Sequence, residues 1–407
     1  MDLIKRVLPF AVFLFLTASC QSERKLENVS AREITNQLTL LSVNFGEAKS
    51  LASNSGKELV TVRSLNKDGS LKIISSKDWC SGFYAGSLWL ASDLTGDKKL
   101  QKLAREFTLP LEKEKFNGAT HDMGFKMMSS FGQGYRLTKD SVFRDILIQS
   151  AKTLTTRFNE KVGAIRSWDH NQDKWQFPVI IDNMLNLELL FWASKQTGDP
   201  LYYNIAVRHA QTTLANHFRS DNSSFHVVDY DTITGAVIKK NTHQGFSDSS
   251  AWSRGQAWGL YGYSMCYRET GIVSFLYQAE KIADFILNHP NLPEDKIPYW
   301  DFDAPSAPML PRDVSAAAIT ASALYELSAF IPQKKELYIR SADQIMKSLS
   351  NVYASKRGEN KGFLLGHSTG SVPQNTEIDV PINYADYFFL ESLLRQSNIR
   401  KLNQINK

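Results

Sequence analysis

The chain has 407 residues, 43% of them hydrophobic and 22% charged, with 22 glycines and 13 prolines. Those proportions exclude a disordered or collagen-like chain, and a mean hydropathy of −0.30 excludes a multi-span membrane protein. A formal charge of +5, from 47 basic and 42 acidic residues, is too slight to point to a nucleic-acid partner. A chain of this length buries a large core without help from disulfides, and it suits two average domains or one barrel or toroid. Eight tryptophans are more than such a core requires, which directs attention to a stacking surface.

The first predicted element is an address. Lys5 and Arg6 precede VLPFAVFLFLTA at 7–18, an apolar run too short to span a bilayer and suited to the h-region of a secretory signal. LTASC at 16–20 resembles a bacterial lipobox, with Cys20 as the residue to be lipidated. Thr17 stands where such boxes usually carry Leu, and ordinary signal cleavage is the alternative. The expectation is an exported bacterial lipoprotein, periplasmic or on the outer membrane, touching the membrane only through Cys20. Residues 1–20 are then the signal, 21–30 a polar tether, and 31–407 a single domain. Cys80 and Cys266 are the remaining cysteines, and spacing does not decide whether they pair.

From Ala31 the pattern is helix, loop, helix, with little strand-like alternation. WLASDLTGD at 89–97, FWASKQTGD at 191–199 and YRETG at 267–271 share an ending in which an aromatic-rich helix stops at Thr-Gly. An amphipathic helix follows each, over 100–107, 201–217 and 273–287. The first helix of each pair mixes glycine, alanine and serine with aromatics, as a helix buried on most sides does; the second covers it. Hairpins of that design, bent round until the last meets the first, predict an all-α fold, an (α/α)6 toroid of roughly six hairpins of ~50–60 residues each. Loops fall at 288–311, with six prolines, and at 366–381.

Two aspartates stand inside apolar or aromatic runs: Asp122 in THDMGF at 120–125 and Asp182 in VIIDNMLNLELLFW at 179–192. Burying Asp is costly unless it is paired or hydrogen-bonded. Each either caps the helix it precedes or belongs to an acid pair, since inner helices of a toroid open toward one cavity. Trp79, Trp168, Trp175, Trp252 and Trp258 are stacking candidates. Trp252 and Trp258, beside Gln244, Arg254 and Gln256, suggest a sugar platform, with core packing as the alternative. His226, in FHVVDYD at 225–231, is either structural or functional. No phosphate-cradling loop, HExxH or paired-cysteine motif occurs, so neither a metal nor a cofactor is expected.

The blocks DWCSGFYAGSLWLASDLTGD (78–97), THDMGF, IIDNMLNLELLFWAS (180–194), QGFSDSSAWSRGQAWGLYG (244–262) and SVPQNTEIDVPINYADYFFLESLL (371–394) together resemble the unsaturated glucuronyl hydrolases, glycoside hydrolase family 88. The resemblance runs from about Asp78 to Leu394, with the blocks in the family's order. A sister family acting on unsaturated rhamnogalacturonides shares the fold and an aspartate pair; THDMGF and AWSRGQAW favour the glucuronyl branch. The resemblance implies a six-hairpin toroid and a substrate left by polysaccharide lyases, an oligosaccharide ending in a C4=C5 unsaturated uronic acid. It implies hydration of that double bond, with Asp182 as acid/base and Asp122 as the second essential aspartate. It also implies substrate contacts from Trp79, His226, Gln244, Trp252, Trp258 and Tyr384. Arg254 resembles an arginine that reads a sulfate on the neighbouring sugar, with pairing to an acidic neighbour as the alternative. Ser368 and Ser371 match a sulfate-reading loop, although Pro373 stands where its Lys is expected. A glycosaminoglycan-derived substrate, sulfated or not, follows. The other readings are an unsaturated rhamnogalacturonyl hydrolase and a catalytically silent glycan-binding lipoprotein.

Overall fold

Each Thr-Gly ending stops one helix and starts the next. In the computed structural model, which describes residues 25–26, 29–53, 56, 58–305 and 310–405, α1 (Ala31–Leu51) leads into α2 (Phe83–Thr95) and α3 (Lys98–Thr108). Gly96 takes the left-handed φ of 75° that closes α2, and Asp97 caps α3 by accepting from Lys99 N. The Thr95 hydroxyl donates to Ala91 O and accepts from Asp97 N, tying the two ends together. The same device joins α6 (Asn183–Thr197) to α7 (Pro200–Asn216) through Gly198 and Asp199. At the joint of α8 (Ser253–Thr270) and α9 (Val273–Asn288), Gly271 and the Thr270 hydroxyl repeat it without the cap, since Ile272 replaces the aspartate.

A fourth copy escapes sequence inspection because its second member is not glycine. Thr138-Lys139-Asp140 connects α4 (Gln133–Thr138) to α5 (Ser141–Thr155), with Lys139 forced to φ 57° and Asp140 capping Val142 N. Upstream of α4, residues Gly124–Gly132 form a π-helical turn, a wound-out geometry found often beside functional sites. Two helices follow α9 and α10 (Val314–Leu327): α11 (Lys335–Ser348) and α12 (Asn383–Ile405).

The elements α2, the π-turn with α4, α6, α8, α10 and α12 pack each against the next, and α12 returns to α2. Apart from α4, of which only Gly134 is buried, these inner elements are buried over most of their length; every residue from Ser253 to Cys266 of α8 is. The outer helices α1, α3, α5, α7, α9 and α11 bury one stripe only, as α3 does with Leu100, Ala104 and Phe107. The observed fold is therefore the α/α toroid that the hairpin repeats imply. None of the described helices is long and apolar enough to cross a membrane.

Close contact between inner helices is what sets the site. A Cβ on Gly124 would lie 2.5 Å from Asn186 Cα, and one on Gly262 would lie 2.4 Å from Met184 Cβ. Phe125 N donates to Asn186 Oδ1 at 2.9 Å across the first of these contacts. Glycine thus lets the segments that carry Asp122 and Asp182 press together at their N-terminal ends.

Strands are present, against the helical reading of the sequence, and they form the rim. Strands β1 (Thr61–Leu65) and β2 (Leu71–Ile74) make an antiparallel hairpin. Strands β3 (Pro178–Ile180), β4 (Val227–Tyr230) and β5 (Val237–Asn241) make an antiparallel sheet with Ile180 opposite Val227 and Val228 opposite Lys240. They are short, and β3 and β4 are buried on both faces, so a period-2 pattern has no room to appear. Within the segment expected as a plain tether, Lys25–Leu26 pairs with Val29–Ser30, and Ser30 and Glu33 form a capping box on α1. The expected signal sequence and Cys20 lie outside the described residues. Cys80 and Cys266 are buried and unpaired with each other, so the disulfide left open by spacing does not form.

Candidate active site

Asp182 is where β3 turns into α6. Its backbone is already helical (φ −55°, ψ −29°), so its side chain makes no cap and projects into a cavity of about 400 Å³. Its Oδ2 finds no hydrogen-bond partner. Burial pushes the carboxyl up to about 7, against the pull of the Arg254 guanidinium, and the nearby Asp122 adds to the rise. An acid in that state can deliver a proton near neutral pH.

Asp122 enters the same cavity from the start of the π-turn. It does not cap its helix either. Oδ2 accepts from the Thr120 hydroxyl at 2.6 Å, and Oδ1 faces His121 Nε2 at 3.2 Å. Burial holds the His121 imidazole below its ordinary pKa although Asp122 opposes this, so a neutral ring lies beside the carboxylate. The Thr120 hydrogen bond fixes the direction in which the Asp122 side chain points.

His226 lies directly before β4 and backs Asp182, with Nε2 at 3.7 Å from Oδ2. Its Nδ1 accepts the backbone N–H groups of both His243 and Gln244, each at 3.1 Å. Those two donors leave the ring proton on Nε2, and burial drives the pKa well down. The result is a neutral imidazole whose one N–H, without a hydrogen-bond partner, lies near the acid.

The walls are aromatic and cationic. Arg254 is 1% exposed, between the rings of Trp252 (4.6 Å) and Tyr384 (5.4 Å). It donates to Asp313 Oδ2 at 2.5 Å and to the carbonyls of Thr369 and Gly370. Pairing with an acid, the alternative left open by sequence, is therefore what the structure shows. Trp79 leans on Tyr384 at 5.0 Å, and the hydroxyls of Tyr384 and Ser371 have no hydrogen-bond partner. Gln244 Nε2 donates to Gly370 O. At the mouth, Arg63 grips both oxygens of Glu377 and also reaches Asp78. Although burial opposes it, the Arg63 and Lys72 cations hold the Glu377 carboxyl down at about 2.

Of the sequence candidates, Asp122, Asp182, Trp79, Trp168, Gln244, Arg254, Ser371 and Tyr384 line one cavity. His226 touches it through Asp182. Trp252, Trp258 and Ser368 do not line it. Trp252 is packed between His226 and Arg254, and Trp258 between Phe125 and Phe388, with its indole N–H close to Asp182 but short of hydrogen-bond geometry. They brace the site instead of offering a platform. Ser368 is buried behind the wall, its backbone paired with Val380, because residues three apart in extended chain face opposite sides and Ser371 takes the inner one. Sequence reasoning missed Thr120, His121, Arg63, Glu377 and His243. The first two lie in the THDMGF block beside Asp122, Glu377 lies in the 371–394 block and His243 directly precedes Gln244, so these four were findable; Arg63 comes from a distant segment. Among the described residues no cluster of His, Cys, Asp and Glu is arranged to hold a metal.

A helical toroid with a protonable acid, a second carboxylate and aromatic walls in one cleft defines the class as glycoside hydrolase. No protein-family model matches the chain. An unsaturated glucuronyl hydrolase from Formosa agariphila is 48% identical over 95% of this chain and 96% of its own length. An unsaturated chondroitin disaccharide hydrolase from Streptococcus agalactiae is 34% identical, over 80% of this chain and 82% of its own. The crystal structure of an unsaturated glucuronyl hydrolase specific for heparin superposes with a TM-score of 0.84 at 46% identity, covering 91% of this chain and 97% of that one. The chain belongs to the unsaturated glucuronyl hydrolase family.

Proposed function

We propose that this enzyme removes the C4=C5 unsaturated uronic acid from the non-reducing end of lyase-generated glycosaminoglycan oligosaccharides by hydrating the double bond. Protonated Asp182 gives its proton to C4, and positive charge develops at C5 and the ring oxygen beside the Asp122 carboxylate. Asp182, now ionised, is supported by the His226 Nε2–H and by Arg254, and takes a proton from water as the water adds at C5. One water is consumed, and the hemiketal opens to release the leaving sugar. Tyr384, Trp79, Gln244 and Ser371 hold the uronate in this reading. His226, held neutral, serves the acid without competing for its proton.

The observation that carries the proposal is the Asp182 carboxyl: buried, without a hydrogen-bond partner on Oδ2 and held at about 7, in one cavity with Asp122. The higher identity to the heparin-specific relative than to the chondroitin-named one favours a heparin-type substrate. The N-terminal run ending at Cys20 supports export and lipid anchoring. The test is to incubate the enzyme with unsaturated disaccharides from heparin, chondroitin and pectin lyases and follow the ultraviolet band of the double bond. The band should vanish on the glucuronyl substrates, fastest on the heparin-derived one. Loss on the pectic substrate alone, or on none, would overturn the proposal.

A further inference from the structure

Beyond the catalytic cavity the wall opens into a second recess of about 350 Å³, lined by Lys174, Trp175, Lys239, Asn241 and Thr242. His243 and Gln374 belong to both spaces, and Gln374 Nε2 donates to His243 O at 2.8 Å on their common edge. The two spaces therefore adjoin along the edge that His243 and Gln374 form.

Their electrostatics differ. In the catalytic cavity the cations are spent: Arg63 is taken by Glu377 and Asp78, and Arg254 by Asp313. In the recess no carboxylate is part of the lining. Asp248, the acid on the neighbouring turn, is occupied by Thr242 N (2.7 Å) and Asn241 Nδ2 (3.2 Å). Among the described residues neither Lys174 nor Lys239 forms an ion pair. The Lys239 ammonium donates to Lys174 O, which pins β5 to the 171–174 turn and sets both cations on one side, with two Lys239 N–H groups left over. Alternation along β5 turns Lys240 the other way, over Phe225. Trp175 stands edge-on to His243 (5.7 Å), with its indole N–H toward Asn241 Oδ1 at 3.4 Å. Trp175 is 5% exposed and carries the Lys174 ammonium over its ring at 6.0 Å, and an aromatic edge beside two ammonium groups without ion pairs suits a sugar that carries an oxyanion.

We propose that Lys174, Lys239 and Trp175 form a second subsite that holds the anionic group of the leaving saccharide and makes the enzyme prefer acidic leaving groups. This rests on the hydrolytic reading above. The oxyanion has two chemical sources: a sulfate ester on the sugar next to the unsaturated uronate, or the carboxylate of the following uronate.

The test compares kcat/KM of the wild type, Lys174→Gln, Lys239→Gln and the double variant on three substrates. They are an unsulfated unsaturated disaccharide, its sulfated counterpart, and an unsulfated unsaturated tetrasaccharide. In the double variant the ratio of an acidic-leaving-group substrate to the plain disaccharide should fall about tenfold, through KM, as expected for charge-assisted hydrogen bonds. Salt should erase the wild-type preference, and Lys174→Arg with Lys239→Arg should restore it. A fall for the sulfated disaccharide assigns the sulfate; a fall for the tetrasaccharide assigns the carboxylate. An unchanged ratio for both, or an equal loss on all three substrates, would overturn the subsite. If the wild type consumes none of the three, the hydrolytic reading fails. The subsite is then judged by calorimetric binding of the sulfated disaccharide, which must weaken about tenfold in the double variant to survive.

Discussion

Replacing Asp182 by Asn should destroy turnover and strengthen the fold, and the second effect follows from the same burial as the first. The carboxyl sits at about 7 where its ordinary value is 3.8, mostly because burial disfavours the ionised form. The difference penalises the charged folded state by on the order of 4 kcal/mol. Because the folded pKa of this acid is raised, the folded protein binds more protons than the unfolded one between about pH 4 and pH 7. Stability therefore declines across that window as pH rises, and the full penalty stands above it. An asparagine of nearly the same shape does not ionise. The stability gap between Asp182→Asn and wild type should accordingly widen, by on the order of 2–3 kcal/mol, from pH 5 to pH 8 in urea titrations. In the wild type, kcat/KM should drop about tenfold per pH unit above 7 as the proton is lost. The variant should lose at least about 10²–10⁴ in rate while still binding substrate. A gap that stays constant between pH 5 and pH 8 would refute the buried-acid argument, and retained turnover would refute the role of Asp182.

Three further outcomes are expected. Asp122→Asn should cost about 10²–10⁴ in kcat and, since Asp122 helps to raise Asp182, should move the alkaline limb of the residual activity to lower pH; an unmoved limb would mean the two acids are not coupled. Arg254→Gln removes a charge that favours ionised Asp182 and strands buried Asp313. It should therefore shift that limb upward and destabilise the protein by about 3–5 kcal/mol, measurable by urea unfolding, with Arg254→Lys recovering part of both. Lys139→Gly relieves a left-handed backbone at the α4–α5 joint and should stabilise the protein by about 1 kcal/mol in the same assay, with activity as in wild type.

Local chemistry was open to inspection in the sequence. Thr-Gly-Asp endings, aromatic inner helices and one-stripe partners identify helical hairpins, because caps and periodicity act over a few residues. Asp122 and Asp182 stood out for a related reason, being acids inside runs that would otherwise be buried. The resemblance then gave them roles. The Thr138-Lys139-Asp140 joint escaped because a lysine there adopts the conformation that glycine advertises. The strands escaped because three to five residues are too few to display alternation.

What the sequence by itself determined is the kind of architecture and the two carboxyl groups, since both rest on short-range rules. Only the tertiary structure decided which groups surround them. Arg254 meets Asp313, Arg63 meets Glu377, and the backbone of His243 and Gln244 sets the tautomer of His226. It also turned Trp252 and Trp258 from platform to brace and left Lys174 and Lys239 unpaired beside the cavity. Burial, protonation and charge at a point depend on every segment that folds around it, and in a closed toroid those segments come from the whole length of the chain.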